Sequence, residues 1–316
     1  MALMTSQKVP CSNLCASLAT GVHTFDVLSQ SQFNLHAYIL VKDGDIIASE
    51  KLLNIKGHNA VHSCHCCKIQ GIHNVSSHGT VYYTPLETPD LPHQTRPSID
   101  PHQLPLHMHG DFLTAISDLE SATTKKGWEN IAKQSGIHGP PALCQVASIN
   151  YARSVPWEWM HLFLENIVPT LANLWTGQFK GLDTGTENYE LMACTVANIP
   201  SAFVCVLGNI VEDCSMFTAE AWGFWFMYPT PILLKGQFEE DKYHYHMLKL
   251  SDLMKIMVKL ELREEEVDIL ENRLIEWVEE YEEYYYQYDE DLLSTCTLLI
   301  HGLLHVAAGI QFCGPV

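Results

Sequence analysis

The chain is poor in positive charge: 18 lysines and arginines stand against 37 aspartates and glutamates, a formal net charge of −19 over 316 residues. Such a balance repels phosphate backbones unless the few cations cluster, so charge alone disfavours autonomous nucleic-acid binding. Long apolar runs are missing too. The most hydrophobic window, around Phe203 to Leu207, is far too short to span a bilayer, and no basic-then-apolar leader follows Met1. No membrane partner is expected. A glycine-rich phosphate loop and a Gly-x-Ser-x-Gly elbow are absent, which removes two common signatures of nucleotide binding and serine hydrolysis. Internal repeats and low-complexity linkers are absent as well. What remains, 47% hydrophobic and only 17% charged residues, fits a folded chain with one large core or two smaller ones.

Eleven cysteines without a secretory leader read as reduced thiols, some of them metal ligands, and not as a disulfide framework. Cys64-His65-Cys66-Cys67 offers a Cys-x-x-Cys pair. Far downstream, Pro156-Trp157-Glu158-Trp159-Met160-His161 sets Glu158 and His161 one helical turn apart on one face. Cys64 and Cys67 with Glu158 and His161 would give zinc two sulfurs, an oxygen and a nitrogen, a closed set suited to a structural site. Cys66 and His65 leave the ligand choice open. His107-Met108-His109 and the pair His301 and His305 are less telling, because histidines four apart on an apolar helix are more often core or surface residues.

Two carboxylates stand out for chemistry. Asp45 follows an expected strand, Phe33 to Val41, where side chains converge on ligands in α/β sheets; the alternative is a turn aspartate capping the helix expected over Ile46 to Ile55. Glu220 sits among Phe217, Trp222, Phe224 and Trp225, and the alternative is again a capping role beside Thr218. Further helices are expected over Asp111 to Ala122, Trp128 to Gln134, Pro156 to Trp175, Phe217 to Tyr228 and, with three-and-four spacing, two long ones over Leu248 to Leu262 and Val267 to Tyr281. The stretch from His58 to His109 reads as irregular apart from a short strand at Val81-Tyr82-Tyr83, and Phe179 to Glu190 as a loop. The acidic face from Glu264 to Glu283 reads as a solvated helix face, and the Tyr284 to Tyr288 cluster as packing.

Taken in order, Gly44-Asp45-Ile46-Ile47-Ala48, Gly57-His58-Asn59, Cys64 to Gly71, Pro156 to Leu162, Leu174-Trp175-Thr176-Gly177, Thr218 to Trp222, Tyr281 to Tyr288 and His301-Gly302-Leu303-Leu304-His305 resemble the transposases of CACTA-type (En/Spm) DNA transposons, in the form abundant in mushroom-forming fungi. The resemblance covers nearly the whole chain from about Gly21. It implies an α/β but predominantly helical protein, with an incomplete ribonuclease H-like core and a large, mostly helical insertion. The implied divisions are 1–57 (partial core carrying Asp45), 58–110 (Cys/His-rich), 111–215 (helical insertion) and 216–316 (helical, carrying Glu220).

By the same resemblance Asp45 matches the second aspartate and Glu220 the glutamate of an Asp-Asp-Glu triad that binds Mg²⁺. Cys64 and Cys67, with Glu158 and His161, match the family's zinc motifs. Transposon-end DNA, a nuclear location and homo-oligomeric assembly are implied too. The family's first aspartate has no counterpart, and the chain stops where relatives continue, so a product truncated at both ends and inactive in DNA cleavage is expected. Non-catalytic alternatives are a zinc-stapled scaffold that binds other proteins and a pseudogene-like product without settled partners.

Overall fold

The structure is a computed structural model and describes residues 21–36, 38–73, 81–89, 96–142, 144, 146–175, 179 and 217–314. The expected loop from Phe179 to Glu190 and the apolar window near Phe203 therefore lie almost wholly outside the described residues. The described chain is mostly helical. Its sheets are two separate antiparallel pairs, β1 (Val22–Asp26) with β2 (Ser31–Leu35), and β3 (Ile72–His73) with β4 (Tyr82–Tyr83).

The first pair replaces the strand expected over Phe33 to Val41. Asp26 turns the chain back by accepting from the Leu28 N–H (2.9 Å) and the Ser29 hydroxyl (2.6 Å), and Gln30 takes a left-handed φ of 53°. Pairing thus uses Phe33 and Leu35 but ends there. Beyond it, Ile39 and Lys42 are held by isolated bonds, Ser148 Oγ to the Ile39 carbonyl and Lys42 N–H to the Ser154 carbonyl. These tie the segment to an irregular neighbour that offers no ladder.

Helix α1 (Ile46–Leu53) starts at Asp45 and ends at Asn54, which adopts the left-handed conformation (φ 53°). The helix expected over Ile46 to Ile55 thus ends two residues early. A second, smaller core gathers Leu53 with Phe112, Ala115 and Leu119 of α2 (His109–Ser121), Ala132 of α3 (Lys125–Ser135), and Ile137, Tyr151 and Val155. Gly136 closes α3 at φ 73°, and a Cβ there would lie 2.3 Å from the His62 carbonyl oxygen, so glycine is required on two counts.

The main core is helical. A π-helical turn, Met160–Ile167, runs into α4 (Val168–Trp175). The wide turn comes just before Pro169, whose ring and missing N–H oppose a regular turn there. Against it packs α5 (Ala219–Met227); the short α6 (Thr230–Leu233) leads to α7 (Asp241–Met257), which packs on α5 and on α8 (Glu264–Tyr281), all in one apolar cluster. Val267, Leu270, Leu274, Trp277, Val278 and Tyr281 form the buried stripe of α8. Each such buried side chain contributes about 1.5–3 kcal/mol. Three glutamates in the first turn of α8 complement its dipole.

A π turn (Glu282–Tyr286) and a 3₁₀ turn (Glu290–Thr295) lead to α9 (Leu298–Gly302), a second 3₁₀ turn (Leu303–His305) and α10 (Val306–Cys313). Among the described residues no helix is long and apolar enough to cross a membrane.

Candidate metal centre

The segment from Leu298 to Ala307 is apolar on every side and buried throughout, apart from the half-buried Leu299. Its two histidines therefore cannot be solvated and need partners inside the protein. His301 and His305, one turn apart, point at the loop carrying Cys64 and Cys67. Cys67 Sγ lies 3.1 Å from His301 Nε2, Cys64 Sγ lies 3.4 Å from His305 Nε2, and the two Nε2 atoms are 3.2 Å apart. All four ligand atoms fall within 4.8 Å of one another, and all four residues are buried.

Tetrahedral zinc with two sulfurs and two nitrogens separates its ligand atoms by about 3.3–3.8 Å, and the observed contacts fall close to that. The electrostatics suit a cation as well. Burial pushes the Cys64 thiol up, yet hydrogen bonds from Cys66 and Cys67 and the nearby His305 bring it well below the usual thiol range. Burial holds His301 in its neutral, lone-pair-bearing form. The Cys66 backbone N–H donates to Cys64 Sγ at 3.3 Å, a bond that favours thiolate. His301 Nδ1 has no hydrogen-bond partner.

Two further contacts fix the ligand loop. His65 Nε2 donates to the Val155 carbonyl (2.8 Å), and its ring packs on Trp157 at 5.2 Å. Trp157 in turn lies flat against Gly302, where an added Cβ would meet ring carbons at 3.0 Å. The glycine between the two histidines thus lets their helix come close enough to reach the thiols.

This ligand set corrects the one expected from sequence. Glu158 and His161 stay together but serve their own helix. Glu158 accepts the Met160 N–H (3.0 Å) and the His161 N–H (2.8 Å), and also contacts His161 Nδ1. Its carboxylate caps the π-helical turn, and it is not among the four residues of the buried cluster. Burial opposes its charge, but those amide bonds keep its pKa below the usual glutamate range.

Asp45 shares a cleft with this pair, lined also by Ser49, Trp157 and Asn166. At about 30 Å³ the cleft has room for water and not for a nucleotide. Asp45 itself caps α1, its Oδ1 accepting the Ala48 N–H at 2.5 Å, so the capping alternative describes it. Glu220 is exposed in the first turn of α5, behind the Thr218 cap, and does not line the Asp45 cleft. The aromatic residues around it bury Trp222 and Trp225 on the other side of the helix. Among the described residues neither acid joins a cluster of three or more metal-ligating groups.

His301 and His305 did carry a readable signal, the i, i+4 spacing on an apolar helix. What spacing could not reveal is which distant element faces them. No protein-family model matches this chain, and no curated protein or solved structure matches it either.

Proposed function

We propose that the chain is a CACTA-type transposase-derived protein in which a zinc ion held by Cys64, Cys67, His301 and His305 fastens the last helices to the Cys-rich loop, and that it acts as a scaffold without cleaving DNA itself. The single observation that carries the zinc reading is the buried meeting of two thiols and two imidazoles separated by 234 and 241 residues of chain. A closed four-ligand set without an open position suits a structural ion; such an ion supplies folding energy and no chemistry. The family reading rests on the ordered motif blocks from Gly44 to His305. With it come a partial ribonuclease H-like core ahead of the helical part, transposon-end DNA and homo-oligomeric partners, and a nuclear location. The ancestral reaction in that reading is Mg²⁺-dependent cleavage and strand transfer. Its loss is supported by Asp45 being spent on a helix cap and by Glu220 facing solvent.

The test is metal content and nuclease activity of the purified protein. About one zinc per chain is expected, lost in Cys64→Ser/Cys67→Ser and in His301→Ala/His305→Ala but retained in Glu158→Gln/His161→Ala. Retention in the histidine pair 301/305, or loss in the 158/161 pair, overturns the ligand assignment. Mg²⁺-dependent nicking of terminal inverted-repeat DNA overturns the scaffold reading.

A further inference from the structure

The four ligands are sealed from solvent, yet a cavity of about 400 Å³ reaches them from one side. Its lining includes His305, Cys66, His107, Arg153 and Glu271, among apolar residues such as Phe312. His107 is the unexplained member. Its side chain is only 8% exposed, and its Nδ1 makes no hydrogen bond. Packing on Phe112, ring centre to ring centre 5.3 Å, accounts for the burial but leaves that nitrogen without a partner. The nearest acid, Asp111, stands 4.0 Å away and is already engaged by Lys68 (2.9 Å) and the Met108 N–H (2.7 Å).

The backbone holds His107 beside the ligand loop. Its N–H donates to the Cys66 carbonyl at 2.8 Å, and Leu106 bridges Cys67. Three groups able to ligate a soft cation therefore border one cavity: Cys66 and His107, outside the four-ligand set, and His305, inside it. The acidic Glu271 borders the same space, and the chain's net charge of −19 attracts cations toward it. Arg153 is the single opposing charge in the lining.

We infer that His107, with Cys66 beside it, is a transfer ligand by which a zinc-type cation passes between this cavity and the buried Cys64, Cys67, His301 and His305 set. This rests on the zinc reading above, and extends it from where the ion sits to how it arrives and leaves. A transfer ligand affects the rate of exchange and not the amount bound at equilibrium. That separates it from a fifth structural ligand.

The test uses the full zinc-loaded chain and the chromogenic chelator 4-(2-pyridylazo)resorcinol, with transfer followed by absorbance. His107→Gln keeps one zinc per chain and gives it up about tenfold more slowly; His107→Cys, which restores a ligand, recovers the rate. Ala308→Trp fills the cavity from an exposed position on α10 and slows transfer with every ligand intact. Equal rates in wild type and His107→Gln, at equal zinc content, overturn the transfer role and leave the zinc reading standing. Equal rates in Ala308→Trp overturn the route. Absence of zinc from the wild type overturns both readings together.

Discussion

Glu282 is a buried carboxylate that accepts the Leu86 N–H (2.5 Å) and the Glu87 N–H (3.0 Å). Arg96, also buried, donates to the carbonyls of Pro85 (2.5 Å), Leu86 (3.2 Å) and Gln70 (2.9 Å). Acid and base thus clamp opposite poles of one turn of backbone. Burial dominates the carboxyl and lifts it to about 7, against the pull of the two amides and Arg96. A raised folded-state pKa means stability is greatest below the free glutamate value and falls as pH rises through about 7. Wild type should therefore lose up to about 3 kcal/mol between pH 5 and pH 8 relative to Glu282→Gln. Denaturant midpoints of both proteins across that range would measure it, and parallel curves would refute it. Gly302 gives a second expectation at this scale. Gly302→Ala forces a methyl into the Trp157 ring, at a cost of about 1–3 kcal/mol, and should weaken zinc retention because His301 is its neighbour. An unchanged melting temperature and zinc content would show that the ring moves freely.

Among the elements, α7 and α8 show how well periodicity can be read. Their three-and-four spacing marks the stripes that meet, and the Glu264 to Glu283 face stays largely exposed as composition suggests. What periodicity hides is the seam itself. His246 stacks on Trp277 at 4.3 Å and 13°, its Nε2 donating to the Trp277 carbonyl while the Trp277 indole donates to the His246 carbonyl, each at 3.0 Å. Burial drops that histidine to about 4, so it stays neutral. His246→Ala leaves a void and a buried carbonyl without its donor, and should cost about 3–5 kcal/mol; a loss below 1 kcal/mol in chemical denaturation would contradict the pairing. The β1–β2 hairpin was less legible. A run of β-prone residues from Phe33 to Val41 suggested a strand, but the turn chemistry of Asp26 and Gln30 decides where pairing begins, and among the described residues no strand pairs with the chain after Leu35.

For the whole molecule, the main core draws residues from Cys64 to Ile310 into one cluster, with the Cys64, Cys67, His301 and His305 group at its margin. Chelation should therefore do more than loosen a loop. If the cluster holds zinc, removing it with excess EDTA is expected to lower the melting temperature by about 10 °C or more, taking roughly 1.5 °C per kcal/mol at this chain length and about 10 kcal/mol for a structural zinc. A shift under 2 °C would show that packing alone holds the last helices. Half of the candidate site was legible: a single Cys-x-x-Cys is a cue of medium strength, and Cys64 and Cys67 do belong to the buried cluster. The other half was not, because histidines four apart on an apolar helix, such as His301 and His305, are more often core residues than ligands, and Glu158-x-x-His161 looked the more telling pair. Only the approach of α9, permitted by Gly302 against Trp157, separates them.

That separation has a consequence during synthesis. Cys67 leaves the ribosome 234 residues before His301, which at ordinary elongation speeds is an interval of roughly 10–50 s. Through that interval the nascent thiols cannot meet His301 and His305, and only other histidines such as His65 and His107 are at hand. A chaperone or a slow folding step that shields the Cys64–Cys67 loop would thus govern the yield of correctly loaded protein, and expression at low zinc should harm newly made chains long before it strips finished ones.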